Sequence, residues 1–172
     1  MKLNITIREL RGADKNLWLG MYRRLWPEHS DQALLAEIDR IGVSSKRSAF
    51  VAEMEGVALG FVEYALRDYA NGCNSQPVPF LEGVWVDDAY RGNGIAKALI
   101  QYLIKRAENA GFTEFGSDVE LSNYSSQLMH ERLGFQQMEK VIFYRKVLEP
   151  LVNFIIAQLL RLAKIVPQVR YR

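Results

Sequence analysis

Cysteine is nearly absent from this 172-residue chain: Cys73 stands alone, so no internal disulfide can form. Histidine is almost as scarce, with His29 and His130 only, and without paired cysteines no metal-site pattern emerges; a metal-free protein is expected. The N-terminus, Met1 to Arg11, alternates apolar and polar residues and lacks an apolar stretch of secretory length. With no disulfide framework beside it, that pattern points to a cytoplasmic protein. A basic surface is missing too. The net charge is +2, but the last twelve residues carry Arg161, Lys164, Arg170 and Arg172 and no acid, which leaves residues 1–160 at −2. A nucleic-acid partner is not expected from such a body, while a cationic small molecule is permitted.

What is present is the periodicity of one ordinary α/β domain. Ile5, Ile7 and Leu10 alternate as a first strand, and Leu17, Trp18, Met21, Tyr22 and Leu25 recur at helical spacing from Asp14 to Leu25. Pro27 stops that helix, and a second spans Asp31 to Ile41. Ser48–Glu53 and Leu59–Leu66 flank the turn "MEGVA" as a hairpin, and "RDYANGCNSQPVP" is a loop leading to the strand "FLEGVWV". A helix from Ile95 to about Asn109, a strand from Thr113 to Val119, a helix from Asn123 to Leu133 and a strand from Lys140 to Val147 follow. The order βααβββαβαβ predicts a mixed sheet with helices over its faces. After Pro150, "LVNFIIAQLLRLAKIV" reads as an amphipathic extension over residues 150–172. It is short for a bilayer span of about 20 residues and suits a terminal helix on this domain or on a second copy, with membrane-surface binding as the alternative.

Three features carry chemistry. Glu82 sits in "PVPFLEGVWV", a run apolar enough to be buried on both faces, where a carboxylate is misplaced. It is either a functional charge or half of an internal ion pair with an Arg or Lys. "YRGNGIAKAL" sets Arg91, Gly92 and Gly94 where a strand hands over to a helix, so that backbone N–H groups of the first helical turn can receive an anion. Alone it is also compatible with a plain turn. In "NYSSQLMHERLGF", Asn123, Gln127 and His130 share one polar helix face, opposite Leu128 and Met129.

Arg91-Gly92-Asn93-Gly94-Ile95-Ala96 resembles the R/Q-x-x-G-x-G/A acetyl-CoA loop of the GNAT acetyltransferases, and Asn123 to Phe135 resembles their second cofactor motif. "RLWPEHSD", "RDYANGC", "PVPFLEGVWV", "EFGSDVELSN" and "LMHERLGFQQMEKVIFYRK" together resemble the aminoglycoside 6′-N-acetyltransferases, with coverage from about Ile5 to Val147. The segment after Pro150 has no counterpart in that pattern.

The resemblance implies a GNAT domain over residues 1–149: a mixed, mostly antiparallel sheet whose central strand pair is splayed. Acetyl-CoA would enter the gap, its pantetheine arm on backbone groups of Val84, Trp85 and Val86. Its pyrophosphate would lie on Arg91, Gly92, Asn93, Gly94, Ile95, Ala96 and Lys97, with Asn123 near the sulfur. Glu82 would hold the acceptor amine and take its proton, directly or through water, because a protonated amine has no lone pair with which to attack. Asp118 and Glu139 would bind further ammonium groups of the antibiotic, and Trp26, His29 and Tyr69 would form the facing wall. His130 stands where many relatives carry the tyrosine that protonates the departing thiolate; Tyr144 or solvent are the alternatives. A homodimer is also implied. Two other functions stay open: an acetyltransferase for a polyamine or protein amine, and a non-catalytic acyl-CoA sensor.

Overall fold

The computed structural model describes residues 4–148; the extension expected from residue 150 lies outside them. The chain divides into two compact units, Met1–Glu139 and Lys140–Arg172. The first unit carries β1 (Thr6–Glu9), α1 (Lys15–Leu25), α2 (Asp31–Gly42), β2 (Arg47–Met54), β3 (Val57–Arg67), β4 (Val78–Val86), α3 (Ile95–Asn109), β5 (Gly116–Ser117) and α4 (Tyr124–Arg132). The strands form one sheet in chain order, antiparallel from β1 to β4, with β5 parallel to β4. A parallel pair cannot be joined by a tight turn, and α3 supplies the crossover. Between β2 and β3, Glu55 and Gly56 both take positive φ (51° and 79°), the backbone that a two-residue hairpin loop requires.

The sheet is covered on both faces because its central strands alternate between two cores. Ala49, Val51, Phe61 and Trp85 face Trp18, Met21 and Tyr22 of α1 and Leu34, Ile38 and Ile41 of α2. Phe50, Ala52, Leu59, Val62 and Leu81 face Ile95, Leu99, Ile100 and Leu103 of α3. Ser30 fixes the start of α2, its hydroxyl accepting from the Ala33 N–H. Among the described residues no helix is long and apolar enough to cross a membrane.

Two expected strands differ. The strand predicted over Thr113–Val119 shrinks to Gly116–Ser117, which pair only with Phe80 and Leu81. Glu114, inside the expected span, instead accepts hydrogen bonds from the backbone N–H groups of Asn74 and Ser75. The strand predicted over Lys140–Val147 does not form, and in this second unit Ile142, Phe143 and Tyr144 are exposed. Strand-like composition does not supply a ladder partner, and among the described residues none pairs with this stretch.

Candidate active site

The site begins with one residue too many in β4. Across the β3–β4 ladder Glu63 pairs with Gly83 and Tyr64 with Leu81, so Glu82 is left unopposed as the extra residue of a β-bulge. The packing shows the same shift of phase. Leu81 and Val84 are three apart yet both lie against the α3 core, which an unbroken period of two forbids. The bulge thereby removes Glu82 from the apolar alternation without displacing its neighbours. On its other edge β4 is paired with β5 only at Phe80 and Leu81, so the two strands part at Glu82. From Glu82 to Val86 that edge has no strand partner among the described residues. Val84 and Val86 turn their side chains to the α3 core and Trp85 to the opposite one, so only backbone groups of these three remain for a ligand along the edge.

The Glu82 carboxylate is engaged by Arg67, at the end of β3. Arg67 Nε donates to Oε1 at 2.8 Å and Nη2 to Oε2 at 2.6 Å, a two-pronged, charge-assisted contact. The third guanidinium nitrogen, Nη1, is 3.8 Å from Asp118 Oδ2, and the guanidinium carbon stands 3.5 Å over the centre of the Phe80 ring. Asp118 directly follows β5 and is exposed. The internal ion pair that the sequence left open for Glu82 is therefore present, and its cation brings Glu82 and Asp118 together.

Glu63, opposite Gly83, is the one buried charged side chain among the described residues, 3% exposed. Its Oε1 has no hydrogen-bond partner among them, nor do the neighbouring core groups Trp18 Nε1 and Tyr22 Oη. Burial, and then the negative charge of Glu82, push its carboxyl up to about 8. Trp26, at the end of α1, closes this side: a Cβ on Gly83 would lie 3.3 Å from Trp26 Cη2, so the glycine makes room for the indole beside Glu82.

The cofactor loop holds its own shape. Gly92 and Gly94 have φ of 78° and 80°, a backbone that side chains disfavour. Asn93 Nδ2 donates to the carbonyls of Tyr90 and Arg91, while Arg91 Nε donates to the Val86 carbonyl and its Nη2 pairs with Asp88. The first backbone bond into α3 runs from Ala98 to Gly94, so the N–H groups of Ile95, Ala96 and Lys97 precede the ladder and are open to an anion. The Ile95 side chain is buried, so it can contribute only backbone. Beside this turn a groove of about 320 Å³ between α3 and α4 carries Lys97 and Arg132 above Leu128, Met129 and Leu133. Cations over apolar side chains, next to open amides, fit the diphosphate and adenosine portions of a coenzyme A.

All three polar residues predicted at α4 already have partners, Gln127 Nε2 donating to the carbonyls of Glu120 and Leu121. Asn123 caps the helix, its Oδ1 accepting from the Ser126 N–H at 3.0 Å. His130 Nδ1 is 2.7 Å from the Ser126 carbonyl, which can only accept, so Nδ1 carries a proton; Nε2 is 2.8 Å from Ser117 Oγ. The neutral ring then accepts from Ser117, and only the imidazolium has an Nε2 proton to donate. His29 pairs with Glu28, while Tyr69 and Glu139 are exposed; no hydrogen bond or ion pair joins these three to Glu82 among the described residues.

Comparison with known proteins bears on this arrangement. The acetyltransferase (GNAT) family model matches residues 15–135, which contain the bulge, the glycine loop and α4. The chain belongs to the GNAT family. It is similar to the aminoglycoside N(6′)-acetyltransferase type 1 of Salmonella typhimurium, 42% identical over 141 residues that cover 81% of this chain and 97% of the relative. The enzyme of the same name from Serratia marcescens is 41% identical over 133 residues, covering 76% and 91%. Among solved structures, AAC(6′)-Iy in complex with the bisubstrate analog CoA-S-monomethyl-acetylneamine superposes with a TM-score of 0.80 at 40% identity, covering 84% of this chain and 99% of that one. The mixed, mostly antiparallel sheet flanked by helices that the GNAT resemblance implies is the fold observed; the strands that part are β4 and β5, with β5 at the edge of the described sheet and not at its centre.

Sequence reasoning missed Arg67 and Glu63. Both had a signal: "GFVEYALR" places two charges in a strand with an otherwise apolar centre, the same anomaly that singles out Glu82. The buried carboxyl yields a pH-dependent stability. Native Glu63 keeps its proton up to about pH 8, while the unfolded chain loses it near 4.5, so the native state binds the extra proton between these values. Wild-type stability therefore falls as pH rises through that window, on the order of a few kcal/mol. In Glu63→Gln, neutral in both states, thermal unfolding should match wild type at pH 5 and exceed it at pH 8. A melting-temperature difference that stays constant from pH 5 to 8 would refute a neutral Glu63.

Proposed function

We propose that this GNAT protein transfers an acetyl group from acetyl-CoA to the 6′-amine of aminoglycoside antibiotics, and so confers resistance. The observation that carries the reading is Glu82, projecting from a bulge where β4 and β5 part, with a cation already lodged between it and Asp118. A pocket built this way binds positive charge at the mouth of the opening that the family uses for its cofactor, and the named relatives act on a polycationic amine. Bound acetyl-CoA supplies an acetyl thioester, the activated acyl group.

The chain's residues then have separable tasks. The amides of Ile95, Ala96 and Lys97, with Lys97 and Arg132, hold phosphate and adenosine, and the open backbone edge of Val84 to Val86 receives the extended arm and polarises the thioester carbonyl. Glu82 orients the ammonium and accepts its proton, directly or through one water, exposing the lone pair that attacks. The attacking nitrogen loses a second proton as the amide forms, and the departing thiolate gains one from His130 in its charged form or from solvent. One proton is released per turnover. Asp118 binds a further ammonium of the antibiotic, and Trp26 offers an aromatic face beside it. We also infer a homodimer, supported by the exposed apolar run Val141, Ile142, Phe143 and Tyr144. Light scattering at micromolar concentration should give twice the mass of one chain; a monomer would remove this part of the reading.

Two measurements test the chemistry. Glu82→Gln should retain acetyl-CoA binding and lose roughly 10²-fold or more in kcat, as loss of a general base does; unchanged turnover would exclude Glu82 as the base. Purified protein given acetyl-CoA and kanamycin should release free thiol, whereas a kanamycin derivative with hydroxyl in place of the 6′-amine should release none. Equal turnover of both would sink the 6′ assignment. No turnover of either would favour a polyamine or protein acceptor, or an acyl-CoA sensor.

A further inference from the structure

Arg67 is a cation that acetyl transfer does not consume, sited where the reaction needs a cation of the acceptor. Its Nε and Nη2 occupy both oxygens of Glu82 at 2.8 and 2.6 Å, and its remaining nitrogen already faces Asp118 at 3.8 Å. The guanidinium carbon stands over Phe80, 3.5 Å from the ring centre, and the side chain is 35% exposed, so it borders solvent rather than being locked in the core. Among the described residues, the titratable groups coupled to Glu82 and its guanidinium partner are Arg67 and Glu63 from β3 and Asp118 after β5. With Glu63 buried and neutral, two carboxylates share one cation, and the pocket is left with a net charge of about −1 to attract another.

While the guanidinium fork stays in place it engages both oxygens of Glu82, and an incoming ammonium there would be repelled by a like charge. A planar guanidinium on an aromatic face has another course: it can slide over Phe80 and close the short remaining distance to Asp118. We propose that Arg67 is the resident counter-ion of the acceptor pocket, a positioning residue that holds Glu82 until an amine displaces its guanidinium onto Asp118. This deepens the acetyl-transfer reading above and rests on it. Asp118 then accepts two cations, the relocated guanidinium and the antibiotic's further ammonium, one on each carboxylate oxygen. The displacement makes acceptor binding weaker than two bare carboxylates would allow, and it disfavours neutral acceptors, which bring no charge to exchange.

The test is steady-state kinetics of wild type, Arg67→Met and Arg67→Lys with kanamycin at saturating acetyl-CoA, with the acetyl-CoA KM measured in parallel. Methionine keeps an unbranched chain over Phe80 but no charge, so the kanamycin KM should fall about three- to tenfold while the acetyl-CoA KM stays unchanged. Lysine retains the charge but cannot grip both oxygens, so its KM should lie between the two. A merely structural role would lower kcat and melting temperature without a selective fall in the kanamycin KM. A kanamycin KM in Arg67→Met that is unchanged or higher would overturn the proposal while leaving the functional reading intact. Wild-type protein inactive on every aminoglycoside would overturn both. Should Arg67→Met fail to fold, Arg67→Lys decides by the same criterion: a lower KM supports the displacement and an unchanged or raised one refutes it.

Discussion

The bulge at Glu82 is the constraint on which the rest of the site depends. A strand buried on both faces has no position for a charge, because every side chain on it meets one core or the other. Adding one residue across from the Glu63–Tyr64 step releases a single side chain from that choice, while Leu81 and Val84 keep their places against α3. The extra residue also marks where β5 stops following β4. One local irregularity in the ladder thus puts a carboxylate and an open backbone edge at the same place, the two things an acyl transfer to an amine needs side by side.

The electrostatics follow from that placement. Three acidic groups surround the opening, and each is accommodated differently because each has a different access to water. Asp118 is solvated, Glu82 is half-buried and satisfied by the Arg67 fork, and Glu63 is sealed and relieved by keeping its proton. A neutral Glu63 lets a carboxylate sit directly behind Glu82 without doubling the negative charge there. The two are coupled, because the negative charge of Glu82 adds to burial in holding the proton on Glu63.

Much of this was legible in the sequence, and the parts that were not share a physical cause. Helical periodicity located α1, α2, α3 and α4 within a residue or two at their ends, because a helix closes its hydrogen bonds locally and its apolar stripe reports the face it buries. Strand patterns reported faces equally well but not partners. Thr113–Val119 and Lys140–Val147 have strand-like composition, yet a strand exists only where another offers its edge, a non-local fact. Glu82 was found because a charge in an apolar run violates a local rule. Glu63 violates the same rule in "GFVEYALR" and was passed over, since a half-buried strand tolerates one polar residue on its wet face. Arg67 was assigned to the loop because it opens "RDYANG", where turn residues dominate. Its pairing with Glu82 crosses fifteen residues of chain and could not be read from either stretch alone.

In the glycine loop the side chains are turned to the loop itself and the backbone is left open. Arg91 turns back to the Val86 carbonyl and Asp88, and Asn93 bonds two carbonyls of its own turn. Both side chains are therefore occupied in holding the loop against the end of β4. What faces outward is backbone: the amides that precede the α3 ladder, made accessible by two glycines at positive φ. An anion site formed from amides fixed in advance loses little conformational freedom when filled. Because the same arginine ties that loop to Val86, the anion cradle and the open edge of β4 are held at a set distance. The His130 contact with Ser117 likewise ties α4 to the end of β5, next to Asp118, while the bond to the Ser126 carbonyl within α4 sets the ring's orientation. The geometry of the candidate site is thus carried largely by residues bonded to one another, which hold the open edge of β4, the start of α3 and the carboxylates beside Arg67 in place.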